Sequence, residues 1–206
     1  ARVERGPQLP RVILEVADDE PDRAGLHREL ASRRVLAHAL SGKGPGAKSA
    51  RLGDLDHDHW QGVLDVNLTS AVFTIQAFLP FMKQAGGGRI VLVSSTAGVS
   101  ASPTAALSYS VSKAAIAALP RLLALELALS KVLINAVAPG KISNPDWPDD
   151  PEKVKRYEKS VPLGRLASGD EIAALIGFLS SGANTYVTGQ TILQDGGRLS
   201  ALPTVE

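Results

Sequence analysis

The chain reads RIVLVSSTAGVSASPTAALSYSVSK from Arg89 to Lys113, and this stretch indicates the fold. Its start, Arg89 to Val93, is a short apolar run after three glycines, which predicts a buried strand. The segment from Ala105 to Leu129 is rich in Ala and Leu and predicts a long, mostly buried helix. Ser94 and Ser95 are therefore predicted at the carboxyl end of a strand that precedes a helix.

Tyr109 and Lys113 are four residues apart, so the predicted helix carries them on one face. A free phenol has a pKa near ~10, and a nearby ammonium favours the phenolate. Such a pair can exchange a proton with an alcohol near neutral pH, while Ser95 can hold the substrate oxygen. Hydride transfer needs these groups together with a nicotinamide cofactor. A Tyr-x-x-x-Lys pair alone is a weak pattern, and the preceding serines strengthen it.

The whole chain alternates between strand and helix patterns, which predicts a parallel sheet with right-handed crossovers. In such sheets ligands bind beyond the carboxyl ends of the strands. We expect the second helix to be bent or broken near Pro80, and the third to kink at Pro120, because proline removes a helical hydrogen bond. The predicted strands are 12–16, 35–40, 90–94, 133–137 and 191–193, and the predicted helices are 18–33, 56–84, 105–129, 152–159 and 169–180.

The composition is that of an ordinary globular domain. The 206 residues can form one domain with a sizeable core. Net charge is +1 with acids and bases dispersed, so neither nucleic acid nor a membrane is an expected partner. The chain has no cysteine, which excludes disulfides and thiolate chemistry and fits the cytoplasm. No uninterrupted apolar run approaches the ~18 residues that span a bilayer.

These motifs resemble those of the short-chain dehydrogenase/reductase family from about residue 60 to residue 197. The segment from Ile90 to Gly98 looks like the strand that delivers the family's catalytic serine, and Tyr109 and Lys113 match its tyrosine and lysine. Further matches follow in the family's order at 66–68, 135–140, 162–165 and 186–197. The resemblance implies a Rossmann-like α/β fold of three layers with a mostly parallel sheet. It also implies a single domain, 1–206, with irregular tails at 1–10 and 198–206.

The resemblance implies a role for each matched residue. Ser95 would hold the substrate oxygen, Tyr109 would be the acid or base, and Lys113 would assist it and contact the cofactor ribose. Asn67 would hold a relay water. The cofactor would be NAD or NADP, the substrate a small molecule, and the assembly a homo-oligomer, dimeric or tetrameric. The implied cofactor contacts are Asp18, Tyr109, Lys113, Pro139, Gly140, Ile142 and Asn144.

The dinucleotide cradle of the family is not found in its expected place. Residues 15–18 look like the family's third strand and residues 35–41 like its fourth, where His38-Ala39-Leu40-Ser41 replaces Asn-Asn-Ala-Gly. The glycine-rich turn that faces the pyrophosphate would precede both. We therefore expect an N-terminally shortened or divergent member that lacks the first one or two strands.

Two other clusters could carry a different chemistry. Residues 42–49 approach a phosphate-binding loop, but Ala47 stands where such a loop needs glycine, and a polar loop is favoured. His57 and His59 lie among aspartates but are only two residues apart, so they do not share a helical face. We expect this segment to begin a helix rather than to bind a metal.

Three hypotheses about function remain open. The first is an NAD(P)-dependent oxidoreductase that acts on a carbonyl or an alcohol. The second is a cofactor-free relative that uses the same residues for cyclisation, dehydration or isomerisation. The third is a non-catalytic subunit that associates through its helices 60–84 and 105–129. The substrate cannot be read from the sequence.

Overall fold

The computed structural model describes residues 35–38, 52–143 and 150–200. The strand predicted at 12–16, the helix predicted at 18–33, the loop at 42–49 and the tail at 1–10 lie outside the described residues. So do Asp18 and Asn144, two of the expected cofactor contacts.

Within the described residues, four parallel strands form one sheet with the order β1-β2-β3-β4. Leu36 pairs with Ile90, Ile90 with Ile134, and Val137 with Ile192. Because every strand runs in the same direction, the carboxyl ends of all four meet at one edge. The strands are β1 (Val35–His38), β2 (Gly88–Val93), β3 (Val132–Pro139) and β4 (Thr191–Gln194).

Helices cover both faces of this sheet. On one face α2 and α3 pack against Ile90, Leu92 and Ile134. On the other face α5 packs against Val91 and Val137. The alternation of strand residues between two buried faces gives the three layers that were predicted. The helices are α1 (His57–Leu64), α2 (Ser70–Gln84), α3 (Leu107–Ala128), α4 (Pro151–Glu158) and α5 (Gly169–Ser180).

The prediction of a break near Pro80 is wrong. Helix α2 runs through Pro80, which is exposed. The interruption comes earlier, at a π-helical turn, Asp65–Thr69, which separates α1 from α2. Such turns contain one extra residue per turn and occur often at functional sites.

Helix α3 likewise continues through Pro120, which is buried. A proline leaves carbonyls of the preceding turn without their usual N–H partner. The carbonyl that loses its N–H donor is that of residue 116, four residues before Pro120. The Thr191 hydroxyl on β4 donates to the neighbouring Ala117 carbonyl at 2.7 Å, which ties this turn of the helix to the sheet.

The stretch from His57 to Gln84 has the length and apolar composition to cross a membrane. Its apolar residues Ala71, Ile75, Phe78 and Met82 are nevertheless packed in the core beside the sheet. One side of this stretch therefore packs in the core.

Candidate functional site

Lys113 is the buried charge of the site. Only 2% of its surface is exposed, and its Nζ donates to the Val93 carbonyl, at the end of β2, at 3.0 Å. Burial lowers the pKa of Lys113 from 10.5 to about 8, because an ammonium loses hydration inside the protein. The lysine therefore remains mostly charged at neutral pH.

Tyr109 lies one helical turn before Lys113 in α3, as the spacing predicted. The Lys113 ammonium is 5.8 Å from the centroid of the Tyr109 ring. Tyr109 itself is only half-buried, so its ring is open to an approaching molecule on one side. Sequence spacing alone was sufficient to place these two side chains together.

The two serines after β2 have different tasks. The Ser94 hydroxyl is buried and donates to the Lys113 carbonyl at 2.7 Å, so it ties helix α3 to the end of the strand. Ser95 is half-buried and caps the short 3-10 turn Thr96–Gly98, where its oxygen accepts from the Ala97 N–H at 3.2 Å. Gly98 packs directly on the backbone of Lys113. The turn that carries Ser95 is thereby pressed against the helix that carries Lys113.

Asn67 reaches this site from the π-helical turn. It is 1% exposed, and its Nδ2 donates to the Ser112 hydroxyl at 2.9 Å. The Ser112 hydroxyl in turn donates to the Tyr109 carbonyl at 2.8 Å. Tyr109 and Lys113 are part of α3, and the bond to Ser112 connects Asn67, a third predicted catalytic residue, to the same helix. Sequence reasoning did not single out Ser112.

The predicted cofactor contacts on β3 lie at the same edge of the sheet. Pro139 is the buried last residue of β3, and the Gly140 N–H donates to the Gln194 carbonyl at 3.0 Å. The Ser94 N–H bonds to the Val137 carbonyl at 2.8 Å, which keeps the ends of β2 and β3 side by side. Ile142 lies farther along, is 36% exposed and forms an isolated bridge with Ala167.

A cavity of about 210 Å³ opens beyond the ends of β3 and β4. The Tyr157 hydroxyl accepts from the Lys141 N–H at 2.9 Å inside it, and the Arg198 guanidinium lies 4.7 Å from the Tyr157 ring centroid. The charged run 152–159 was predicted as a solvated helix or as part of a lid over the substrate, and Tyr157 was not singled out. The lining consists of Gly140, Lys141, Tyr157, Val161, Leu163, Arg165, Ala167, Glu171, Gln194, Asp195 and Gly196.

An ion pair stands at the rim of this cavity. The two terminal nitrogens of the Arg165 guanidinium each donate to one Glu171 carboxylate oxygen, at 2.8 Å and 2.7 Å. The hydrogen bond from Arg165, followed by that from the Ser168 N–H, lowers the pKa of Glu171 to about 2. The same carboxylate completes the capping box that begins α5 at Ser168.

The aspartate–histidine segment begins a helix, as the sequence predicted. The Asp56 side chain accepts from the His59 N–H at 2.8 Å and caps α1, and His57 is exposed beside Asp58. Across the described residues, no three His, Asp or Glu side chains are grouped as ligands for a metal ion.

Comparison with known proteins agrees with this architecture. Residues 28–198 match the model of a family described as enoyl-(acyl carrier protein) reductase. The bovine protein dehydrogenase/reductase SDR family member 4 is 38% identical over 155 residues, which cover 73% of this chain and 55% of that protein. The 3-oxoacyl-[acyl-carrier-protein] reductase of Thermotoga maritima is 38% identical over 73% of this chain and 61% of its own length.

The chain belongs to the short-chain dehydrogenase/reductase family. A solved structure of 3-oxoacyl-[acyl-carrier protein] reductase from Brucella melitensis superposes with a TM-score of 0.74 at 33% identity, over 83% of this chain and 68% of that one. A gluconate 5-dehydrogenase from Burkholderia cenocepacia, solved with NADP and tartrate, gives a TM-score of 0.74 at 27% identity over 86% and 71%. The Rossmann-like fold is therefore established. The chain spans little more than half the length of the curated relatives it matches.

Proposed function

We propose that this chain is an NAD(P)-dependent oxidoreductase that reduces a carbonyl or oxidises an alcohol of a small molecule. The observation that carries the proposal is the buried ammonium of Lys113 held 5.8 Å from the Tyr109 ring, at the carboxyl edge of the sheet. Burial of an ammonium costs free energy of folding. Lysines with a pKa lowered in this way are concentrated at functional sites.

The groups around Tyr109 suit the proton transfer of such a reaction. Tyr109 donates a proton to the oxygen of a carbonyl that is being reduced, or accepts one from an alcohol. Lys113, as an ammonium, stabilises the negative charge that this leaves on the Tyr109 oxygen. The Ser95 hydroxyl accepts from Ala97, so its own proton is available for a hydrogen bond to the substrate oxygen.

The described residues fit the nicotinamide half of a dinucleotide. Pro139 ends β3 and Gly140 follows it, beside the serines that follow β2. Parallel sheets bind ligands at this edge, beyond the carboxyl ends of their strands. A nicotinamide cofactor bound there would supply the hydride. Lys113 would hold its ribose, and Ile142 would lie near its carboxamide. Contacts to the adenine half are proposed for Asp18, outside the described residues.

The cavity beside Tyr157 is the place that we propose for the distal part of the substrate. It shares Gly140 with the proposed nicotinamide contact, so both would open onto one edge. Lys141, Arg165 and Glu171 give it a polar rim, which favours a substrate with polar groups away from the reacting carbon. The proposed location of the protein is the cytoplasm.

A second candidate is acid/base chemistry without a cofactor. The described residues bring the proposed proton-handling side chains to one edge of the sheet, with the Lys113 ammonium 5.8 Å from the Tyr109 ring. Cyclisation, dehydration or isomerisation would need only Tyr109, Ser95 and Lys113. A third candidate, a non-catalytic subunit, is favoured by the apolar side chains that α3 exposes.

Turnover assays with a tyrosine variant separate these candidates. We expect the chain to oxidise NADPH or NADH in the presence of a suitable carbonyl, and Tyr109→Phe to lower kcat by about 10²-fold or more, the range of general acid catalysis. The control Tyr186→Phe changes a tyrosine that is 95% exposed and should keep the wild-type rate.

The other outcomes have clear meanings. A Tyr109→Phe chain with the wild-type rate contradicts the proposed chemistry. Tyr109-dependent turnover that needs no dinucleotide supports the cofactor-free candidate instead. A chain that folds and assembles but turns over no substrate supports the non-catalytic subunit.

A further inference from the structure

Ser112 lies between Tyr109 and Lys113 in α3 and is completely buried. Its hydroxyl has a single proton, and this proton is donated to the Tyr109 carbonyl at 2.8 Å. The same oxygen accepts from Asn67 Nδ2 at 2.9 Å. Ser112 therefore joins the turn that carries Asn67 to the backbone of Tyr109.

The direction of these bonds also sets the orientation of the Asn67 amide. Because the Ser112 proton is used on the Tyr109 carbonyl, the serine oxygen can only accept from Asn67. The amide must turn its nitrogen, and not its oxygen, towards α3. A serine 45 residues away thus selects which end of the Asn67 amide faces α3.

The turn that holds Asn67 has an uncommon geometry. Asp65–Thr69 is a five-residue π-helical turn between two α-helices, a rare insertion that occurs frequently at functional sites. Asn67 is the buried residue of this turn. The hydrogen bond from its side chain to Ser112 connects this turn to α3, the helix that carries Tyr109.

We propose that Ser112 is a positioning residue. It holds the Asn67 side chain in a fixed position relative to Tyr109, the proposed proton donor. This inference rests on the proposed function, because Ser112 acts through Asn67 and Tyr109. Its hydroxyl has no role in the reaction itself. Alanine at this position would keep the helix but would remove the hydrogen bond between residue 112 and the Asn67 amide.

The experiment compares Ser112→Ala with a matched serine elsewhere. Ser180 in α5 is also buried and also donates to the carbonyl three residues before it, at 3.2 Å, but it lies on the other face of the sheet. Ser180→Ala therefore removes the same kind of helical hydrogen bond without touching the site. Ser112→Thr restores a hydroxyl that can bond to the same carbonyl.

Two readouts are measured on the full chain. We expect hydrogen exchange of the Asn67 side-chain amide, followed by NMR, to accelerate in Ser112→Ala and to stay at the wild-type rate in Ser180→Ala. We expect kcat of Ser112→Ala to fall about tenfold, the scale of one lost hydrogen bond, with KM for cofactor unchanged. Ser112→Thr should recover most of the loss in both readouts.

The outcomes distinguish the two proposals. An active wild type whose Ser112→Ala variant keeps kcat and amide exchange, or loses no more than Ser180→Ala, overturns the role of Ser112 and leaves the oxidoreductase intact. A folded but inactive wild type overturns the proposed function and with it the role of Ser112 in turnover. Amide exchange then still tests the Asn67–Ser112 link by itself.

Discussion

Lys113 should make the stability of the chain depend on pH. Its pKa is 10.5 when unfolded and about 8 when folded. Below about pH 8 both states are protonated, and the folded state bears the whole cost of the buried charge. Between about pH 8 and 10.5 the unfolded chain binds more protons, so the free energy of unfolding rises with pH. At 1.36 kcal/mol per pKa unit the rise is about 3 kcal/mol.

Replacement of the lysine should remove this dependence. We expect Lys113→Met to be more stable than wild type near neutral pH, and the difference to shrink as pH rises through the window from about 8 to 10.5. Urea unfolding across that window measures both. Lys83→Met, at an exposed lysine, serves as the control and should follow wild type. A Lys113→Met curve parallel to wild type would mean that the lysine is not buried as described.

Local spacing predicted half of the site. Four residues separate Tyr109 from Lys113, and helical periodicity alone brings them to one face. The partner of Asn67 could not be predicted, because Ser112 is 45 residues away and only the folded sheet brings the two together. The π-helical turn is equally hidden, since no single residue type marks its extra residue.

At the scale of elements, the contact between the Ser95 turn and helix α3 depends on a glycine. A Cβ added to Gly98 would lie 2.4 Å from the Lys113 carbonyl carbon and 2.6 Å from the Ala114 nitrogen, both of which are backbone atoms. No side-chain rotation can relieve such a clash. The turn and the helix can therefore approach this closely only with glycine at this position.

We expect Gly98→Ala to lower the free energy of unfolding by more than about 2 kcal/mol, since overpacking of a core costs ~1–3 kcal/mol and backbone must move here. Gly177→Ala is the matched control. Gly177 is within α5 with nothing near its missing Cβ, so alanine there should stabilise by about 0.5–1 kcal/mol. Thermal unfolding of both variants tests the pair, and equal effects would contradict the close packing.

Proline shows where element prediction failed. A bend or break was predicted at Pro80 and a kink at Pro120, and both helices continue through their proline without a break. Beside Pro120 the helix has a tertiary contact, since Thr191 on β4 donates to the carbonyl of Ala117. Local propensity contains no information about such a partner.

At the scale of the whole molecule, strand and helix alternation was enough to predict the sheet, its parallel strands and its two helical layers. The helix packing against the sheet follows from apolar residues that alternate between faces, as in Ile90, Val91 and Leu92. The resemblance to the family implied a substrate pocket built from residues 99–108 and 141–165, and the second range lines the cavity beside Tyr157. The contributions of Glu171 and of residues 194–196 were not predicted, because only the folded chain brings them to this range.

The outer face of α3 favours assembly into oligomers. Leu122, Leu125 and Leu129 are 61%, 85% and 91% exposed, and their spacing places them on one side of the helix. An apolar stripe of this kind is typical of a protein–protein contact. We propose that a second copy of the chain covers it.

Light scattering should show a dimer or larger species for wild type and a smaller species for Leu125→Glu, because a buried carboxylate in the contact would lack a partner. Leu52→Glu changes a leucine of similar exposure, 79%, away from this stripe and should assemble as wild type does. A monomeric wild type would contradict the proposal.

The central claim is that the Tyr109–Lys113 site acts together with a nicotinamide cofactor. Calorimetric titration of the purified 206-residue chain with NADPH and with NADH tests it most directly. We expect saturable binding of one of the two, weakened in Lys113→Met and unchanged in Lys83→Met, because only Lys113 would contact the ribose. A folded wild-type chain that binds neither dinucleotide at millimolar concentration would contradict the account.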